Sequence, residues 1–125
     1  MSMTYQFSQR SLDNLKGVHE DLVSVVTRAL ELTERDFMVI EGLRTEERQK
    51  QLVAEGKSKT MNSRHLTGHA VDIVPYPISW EWDDFRPVVA AMREAAKELN
   101  IDVEHGFDWG WDAPHHQLAW GSYPK

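Results

Sequence analysis

Ser63-Arg64-His65-Leu66-Thr67-Gly68-His69-Ala70-Val71-Asp72-Ile73-Val74 reads as a polar stretch that passes through a glycine into a short apolar run. Residues Lys57 to Arg64 show neither helical nor strand periodicity and are expected to form a loop. Ala70 to Val74, rich in β-branched residues, is expected to be a strand. Gly68 permits a tight turn or a close backbone approach between the two. A histidine in a loop, His65, and a carboxylate in the next strand, Asp72, are thereby directed toward one point.

On the N-terminal side, Phe37-Met38-Val39-Ile40, stopped by Gly42, has the make-up of a second buried strand. Thr45 stands where a helix N-cap belongs, with Glu46 and Glu47 in the favourable first turn and Gly56 at the far end. Arg44 therefore sits at a strand-to-helix junction. Ser8 or Ser11 caps a short helix ending near Gly17, and a second helix places Leu22, Val25, Val26, Ala29 and Thr33 on one face. On the C-terminal side, Phe85, Val88, Val89, Met92, Ala95, Ala96 and Leu99 form one helical stripe, with Asp83 or Asp84 as cap, Pro87 in the first turn and Asn100 as the stop. A strand from Ile101 to Glu104, a loop rich in Gly and Trp, and a last strand near His116 to Trp120 complete an α+β pattern.

The 125 residues suit one domain, 1–125, with no repeat or interdomain linker. There is no cysteine, which excludes disulfides and thiolate metal sites and leaves the six histidines and the carboxylates as candidate transition-metal ligands. A net charge of -6 argues against a nucleic-acid binder that works by neutralising phosphates. No run approaches the roughly 18 apolar residues of a membrane span, and the N-terminus lacks the basic-then-apolar pattern of a signal peptide. The expectation is a soluble chain without membrane insertion, and a monomer.

Neutral imidazole and carboxylate both suit zinc, and a catalytic zinc takes three protein ligands and leaves a position open. A third ligand beside His65 and Asp72 is available from Glu104-His105 or from Asp112-Ala113-Pro114-His115-His116. In the latter, His115 and His116 point to opposite faces of a strand, so only one reaches the site. Asp112, three residues before His115 and joined through a stiff proline, is the candidate general base. His69 is expected to be a neighbouring or surface group. The five tryptophans, Trp80, Trp82, Trp109, Trp111 and Trp120, are expected to lie at least half in the core, the others lining a groove.

The segment SRHLTGHAVD, residues 63–72, resembles the S-x-H-x-x-G-x-A-x-D signature of the VanY-like zinc peptidases, the family of D-alanyl-D-alanine carboxypeptidases and phage L-alanyl-D-glutamate endopeptidases. DAPHHQL, 112–118, is similar to its D-x-P-H-F-E/Q-L signature, and EGLRTEERQ, 41–49, to its G-x-R-S/T-x-x-x-Q segment. FSQRSLDNLKGVHEDL, 7–22, resembles the phage endolysin branch. The resemblance implies zinc held by His65, Asp72 and His115, with Asp112 as base and Arg44 facing the substrate as a forked, permanently charged donor. It implies further substrate-side positions at Ser63 and Gln49. Two departures stand out: His116 replaces the usual aromatic, and HGFDWGWDAPH, 105–115, is tighter than the Gly-Gly-Asp-Trp segment and spacer of the family.

The fold so implied is a small antiparallel sheet carrying a zinc site and flanked by helices, of the hedgehog and D-Ala-D-Ala peptidase kind. The function implied is that of a phage endolysin hydrolysing the L-alanyl-D-glutamate bond of the peptidoglycan stem peptide. It would be held in the host bacterial cytoplasm until release to the cell wall. A D-alanyl-D-alanine carboxypeptidase or dipeptidase is the alternative within the enzyme class, and a zinc-stabilised binding module without catalysis is the alternative outside it. The presence of Asp112 and Arg44 argues against the last.

Overall fold

The computed structural model of the chain describes residues 5–58 and 60–124. Ser8 caps helix α1, Gln9–Leu15, through its hydroxyl, which accepts from the Ser11 amide. Helix α2, Glu20–Leu32, opens on His19, whose Nδ1 accepts from the Asp21 amide, and carries Glu20 and Asp21 in its first turn. Leu22, Val25, Val26, Ala29 and Leu30 form its buried face. Strand β1, Phe37–Glu41, follows, then α3, Glu46–Ala54, capped by Thr45 as expected. Strand β2 is Ala70–Pro75, helix α4 is Arg86–Leu99, β3 is Val103–His105 and β4 is His115–Leu118.

The strands form one sheet in the order β1-β2-β4-β3, every neighbouring pair antiparallel. Because side chains alternate across a strand, the register sorts the sheet into two faces. Phe37, Val39, Val71, Ile73 and Leu118 join the core formed by α1, α2 and α4. Met38 and Val74 point the other way and pack with Phe85, Val89 and Ala113 in a smaller cluster. Asp72 and His115, directly opposite each other in β2 and β4, share this second, less covered face. Helices thus cover one side of the sheet and polar chemistry occupies the other. That is the α+β arrangement expected from the sequence.

Three local expectations need correction. Neither Asp83 nor Asp84 caps α4: a 3-10 turn, Trp82–Phe85, runs directly into the helix, and its N-cap, Phe85, makes no side-chain cap bond. Pro87 makes the missing cap inexpensive, since its ring is preset for the first helical turn and lacks the amide that a cap would satisfy. Leu99, in the last turn before Asn100, which caps the helix at φ 56°, is exposed rather than part of the buried stripe. The expectation for the tryptophans also fails, because none of the five is buried.

Candidate metal centre and its cleft

His65 comes from a 3-10 turn, Arg64–Thr67, opened by Ser63, whose hydroxyl accepts from the His65 amide. The turn closes at Gly68 with φ 76°, and a Cβ there would lie 2.3 Å from the Gly17 carbonyl oxygen. Glycine is required on both counts. The approach also lets the His19 amide donate to the Gly68 carbonyl at 2.8 Å, fastening the turn to the start of α2. Arg64, beside the histidine, is buried under the Trp120 ring with its guanidinium 3.9 Å from the ring centroid. Its Nη2 donates to the carbonyls of Leu118 and Tyr123. The Tyr123 hydroxyl in turn donates to Asp21 at 2.6 Å.

His65 is only 2 % exposed, and its Nδ1 donates to the Gly42 carbonyl at 2.8 Å. That bond fixes the tautomer and leaves the Nε2 lone pair free, 3.1 Å from Asp72 Oδ1. His115 is fixed in the opposite sense. Its Nε2 donates to Gln117 Oε1 at 2.8 Å, and Nδ1 lies 3.2 Å from the same Asp72 oxygen. One ligand atom from each of His65, Asp72 and His115 lies within 4.8 Å of the other two. Three acceptors converging on one point in a largely buried setting repel one another unless a cation joins them. Two imidazoles with outward-locked N–H groups and one carboxylate form a donor set that fits a catalytic zinc.

The titration behaviour agrees with this electrostatic demand. Burial alone would raise the Asp72 carboxyl, but where no cation joins the three groups, protons on the facing nitrogens of His115 and His65 take its place, hydrogen-bond the carboxylate and hold it well below the usual range. Burial works against a charged His115, yet contact with Asp72 more than offsets it and raises the imidazole above its ordinary value. Asp112, unlike Asp72, is shifted upward: burial, with a contribution from the Asp72 charge, raises its carboxyl. Asp112 is held by a second close approach, since a Cβ on Gly106 would lie 2.1 Å from the Asp112 carbonyl oxygen. Gly106 was not singled out in the sequence; the Gly-Phe-Asp-Trp turn containing it was visible only as a loop.

A cleft of about 1000 Å³ opens over these groups, lined by Arg44, Ser63, His65, Asp72, Asp112 and His115 on its polar side and by Trp109, Trp111 and Trp120. Trp111 is 72 % exposed, and the groove-lining place expected for some of the tryptophans is taken by Trp109, Trp111 and Trp120. Arg44 is clamped rather than free. Its Nε and Nη2 donate to Glu41, and Nη1 donates to Gln49 Oε1 at 2.7 Å. A shift in the β1–β2 register between Val39 and Glu41 sets Glu41 opposite Asp72, which a regular strand would not do. Gln49 is fully buried and does not line the cleft; its Nε2 donates to Ser58 Oγ and the Thr60 carbonyl. It ties the cleft wall to Arg44 from beneath.

The remaining histidines fall outside the centre. His69 sits beside the Thr67 hydroxyl, and His105 and His116 meet each other on the helix-covered face, Nδ1 to Nδ1 at 2.8 Å. The fold brings together His65 and Asp72 from one sequence segment and His115 from another, the grouping expected.

The profile of the family described as phage L-alanyl-D-glutamate peptidase matches residues 3–119. The chain belongs to that family. The peptidase is 35 % identical to the L-alanyl-D-glutamate peptidase of Escherichia phage T5 over 129 residues, covering 97 % of this chain and 94 % of that one. It is 30 % identical to the L-alanyl-D-glutamate peptidase of Listeria phage A118, over 97 % of this chain but 45 % of the relative's length. Among solved structures it is similar to the L-Ala D-Glu endopeptidase ChiX of Serratia marcescens, with a TM-score of 0.91, 47 % identity, and coverage of 98 % of this chain and 96 % of that chain. The VanY-like, phage endolysin reading is thereby established, and the peptidase is an enzyme of the peptidoglycan-degrading class. No helix among the described residues is long and apolar enough to cross a membrane.

Proposed function

We propose that the peptidase is a zinc enzyme that hydrolyses the L-alanyl-D-glutamate amide of the peptidoglycan stem peptide, acting as a phage endolysin. The observation that carries the metal assignment is the convergence of His65 Nε2, Asp72 Oδ1 and His115 Nδ1 in the cleft, with both imidazoles fixed from behind. A zinc ion held by His65, Asp72 and His115 would supply Lewis acidity toward the scissile carbonyl and toward water. Asp112 accepts the proton of the attacking water as the new C–O bond forms, and returns it to the amine nitrogen as the C–N bond breaks. Its raised carboxyl suits both halves of that exchange. Arg44, held rigid by Glu41 and Gln49, presents fixed positive charge to the carbonyl oxygen as negative charge develops.

Ser63 orders the turn that carries His65 and lies in the cleft wall, within reach of substrate; Gln49 acts through Arg44, Ser58 and Thr60. The host bacterial cytoplasm is the proposed place of accumulation before release to the wall. Asp112→Asn is expected to keep full zinc content while hydrolysis of purified sacculi falls by roughly 10²- to 10⁴-fold, the usual range for a general acid–base. Metal analysis and release of new amines from sacculi check the two halves. Mass spectrometry of the digest identifies the bond: new glutamate amines support the proposal, whereas release of terminal D-alanine alone would replace it with a carboxypeptidase.

A further inference from the structure

The metal-facing tautomer of His115 depends on a glutamine, and a glutamine is ambiguous. Its amide can offer either oxygen or N–H, and a rotation exchanges them. With Oε1 toward His115, the ring must donate Nε2–H and keeps its Nδ1 lone pair for the metal. With Nε2 toward His115, the ring must accept at Nε2 and carry its proton on Nδ1, where it blocks the metal position. Something has to choose between these states.

Glu104 makes the choice. It lies directly opposite Gln117 in the β3–β4 register, and Gln117 Nε2 donates to Glu104 Oε1 at 2.8 Å. An ionised carboxylate only accepts, so it can bind only the N–H side of the amide and turns Oε1 toward His115. On the opposite flank Gln117 faces Ala70, which has no polar side-chain group to compete. Gln117 is buried and cannot satisfy its amide with bulk water, whereas Glu104 is exposed at the surface.

We infer that Glu104 is a positioning residue for the metal centre: through Gln117 it fixes the His115 proton on Nε2 and so keeps Nδ1 open to the metal. The inference rests on the metal reading above, but half of its test needs no metal. Glu104→Lys places a donor where the acceptor stood, and because the position is exposed the fold tolerates the change, as circular dichroism and melting verify. A lysine pulls Oε1 of Gln117 outward and presents N–H to the ring. In the metal-free protein at alkaline pH, where the ring is neutral, long-range ¹⁵N–¹H correlation spectra are expected to show the His115 proton moved from Nε2 to Nδ1. Zinc affinity, read by competition with a chromophoric chelator, is expected to fall about 10- to 100-fold. Glu104→Ala, which only frees the amide, falls less. Adding Gln117→Glu to Glu104→Lys supplies an acceptor for both neighbours and is expected to restore tautomer and affinity together. Wild-type tautomer and affinity in Glu104→Lys, or a loss that Gln117→Glu does not restore, would overturn the inference. Failure of the unmodified protein to bind zinc would instead overturn the metal reading, with the tautomer result still legible.

Discussion

Two histidine pairs in this peptidase have nearly the same shape and opposite chemistry. His65 and His115 have ring centroids 5.1 Å apart at 70°, and His105 and His116 have ring centroids 5.1 Å apart at 78°. The first pair lies on the cleft face with Asp72 between its nitrogens. The second lies on the helix-covered face, where burial pushes His105 down to about 4 and His116 well below its ordinary value. Neutral imidazoles at hydrogen-bond distance are a way to fill a core; imidazoles whose lone pairs converge on a carboxylate are a way to hold a cation. Spacing does not distinguish them. What does is the outer nitrogen of each ring, committed to Gly42 and Gln117 in the first pair, while His116 Nε2 has no partner among the described residues in the second.

The largest effect expected from breaking this contrast is that of Asp72→Asn. An amide cannot supply the charge that draws the two lone pairs to one cation, so metal content and hydrolysis should both drop to background while the fold persists. Atomic absorption and sacculus turbidity read the two losses, and retained zinc would show that two imidazoles suffice. The converse change is Val71→Asp, which sets a carboxylate opposite His116 just as Asp72 stands opposite His115. Because Val71 is fully buried, we expect a loss of several kcal/mol in denaturant unfolding and no second metal equivalent. A second equivalent would mean that tautomer locking is dispensable.

A subtler difference is visible in pH. An unfolded histidine takes up its proton near pH 6.5, whereas folded His105 does so only near about 4. Its neutral burial therefore costs nothing above the first value, and stability falls as pH drops between the two. Metal-free protein compared with its His105→Gln variant is expected to show an extra slope of up to about 1.4 kcal/mol per pH unit in that window, lost in the variant. Equal slopes would place the charge change elsewhere. The smallest effect belongs to His105→Leu with His116→Phe. Replacing both partners by apolar groups removes the orphaned Nε2, and should change stability at neutral pH by no more than about 1 kcal/mol while leaving zinc content at one equivalent.

These contrasts also mark where sequence reading reaches its limit. The sheet and helices followed from apolar periodicity, and His65, Asp72 and His115 from motif order. Position after Pro114 favoured His115 over His116, and strand alternation explains the choice, since consecutive residues cannot serve the same face. Gly68 was legible because a glycine between a loop and a strand signals close approach. The Glu41 contact with Arg44 was not, because it depends on a register shift in β1 that no residue type announces. Glu104 and Gln117 are thirteen residues apart and meet only through strand pairing. Gln49, matched by motif to the substrate side, proved to be a buried brace, since a motif reports that a residue matters without reporting which way it points.

The bond from Arg64 to the Tyr123 carbonyl has a practical consequence for anyone re-engineering the chain. The last few residues act as a strap: Trp120 roofs the guanidinium, Tyr123 caps it, and the tyrosine hydroxyl is hooked onto α2. A shortened version stopping at Leu118 would keep every ligand and every strand, yet leave the arginine next to His65 uncovered and short of an acceptor. Fusion partners are better joined beyond Tyr123, through a linker slack enough not to pull on it.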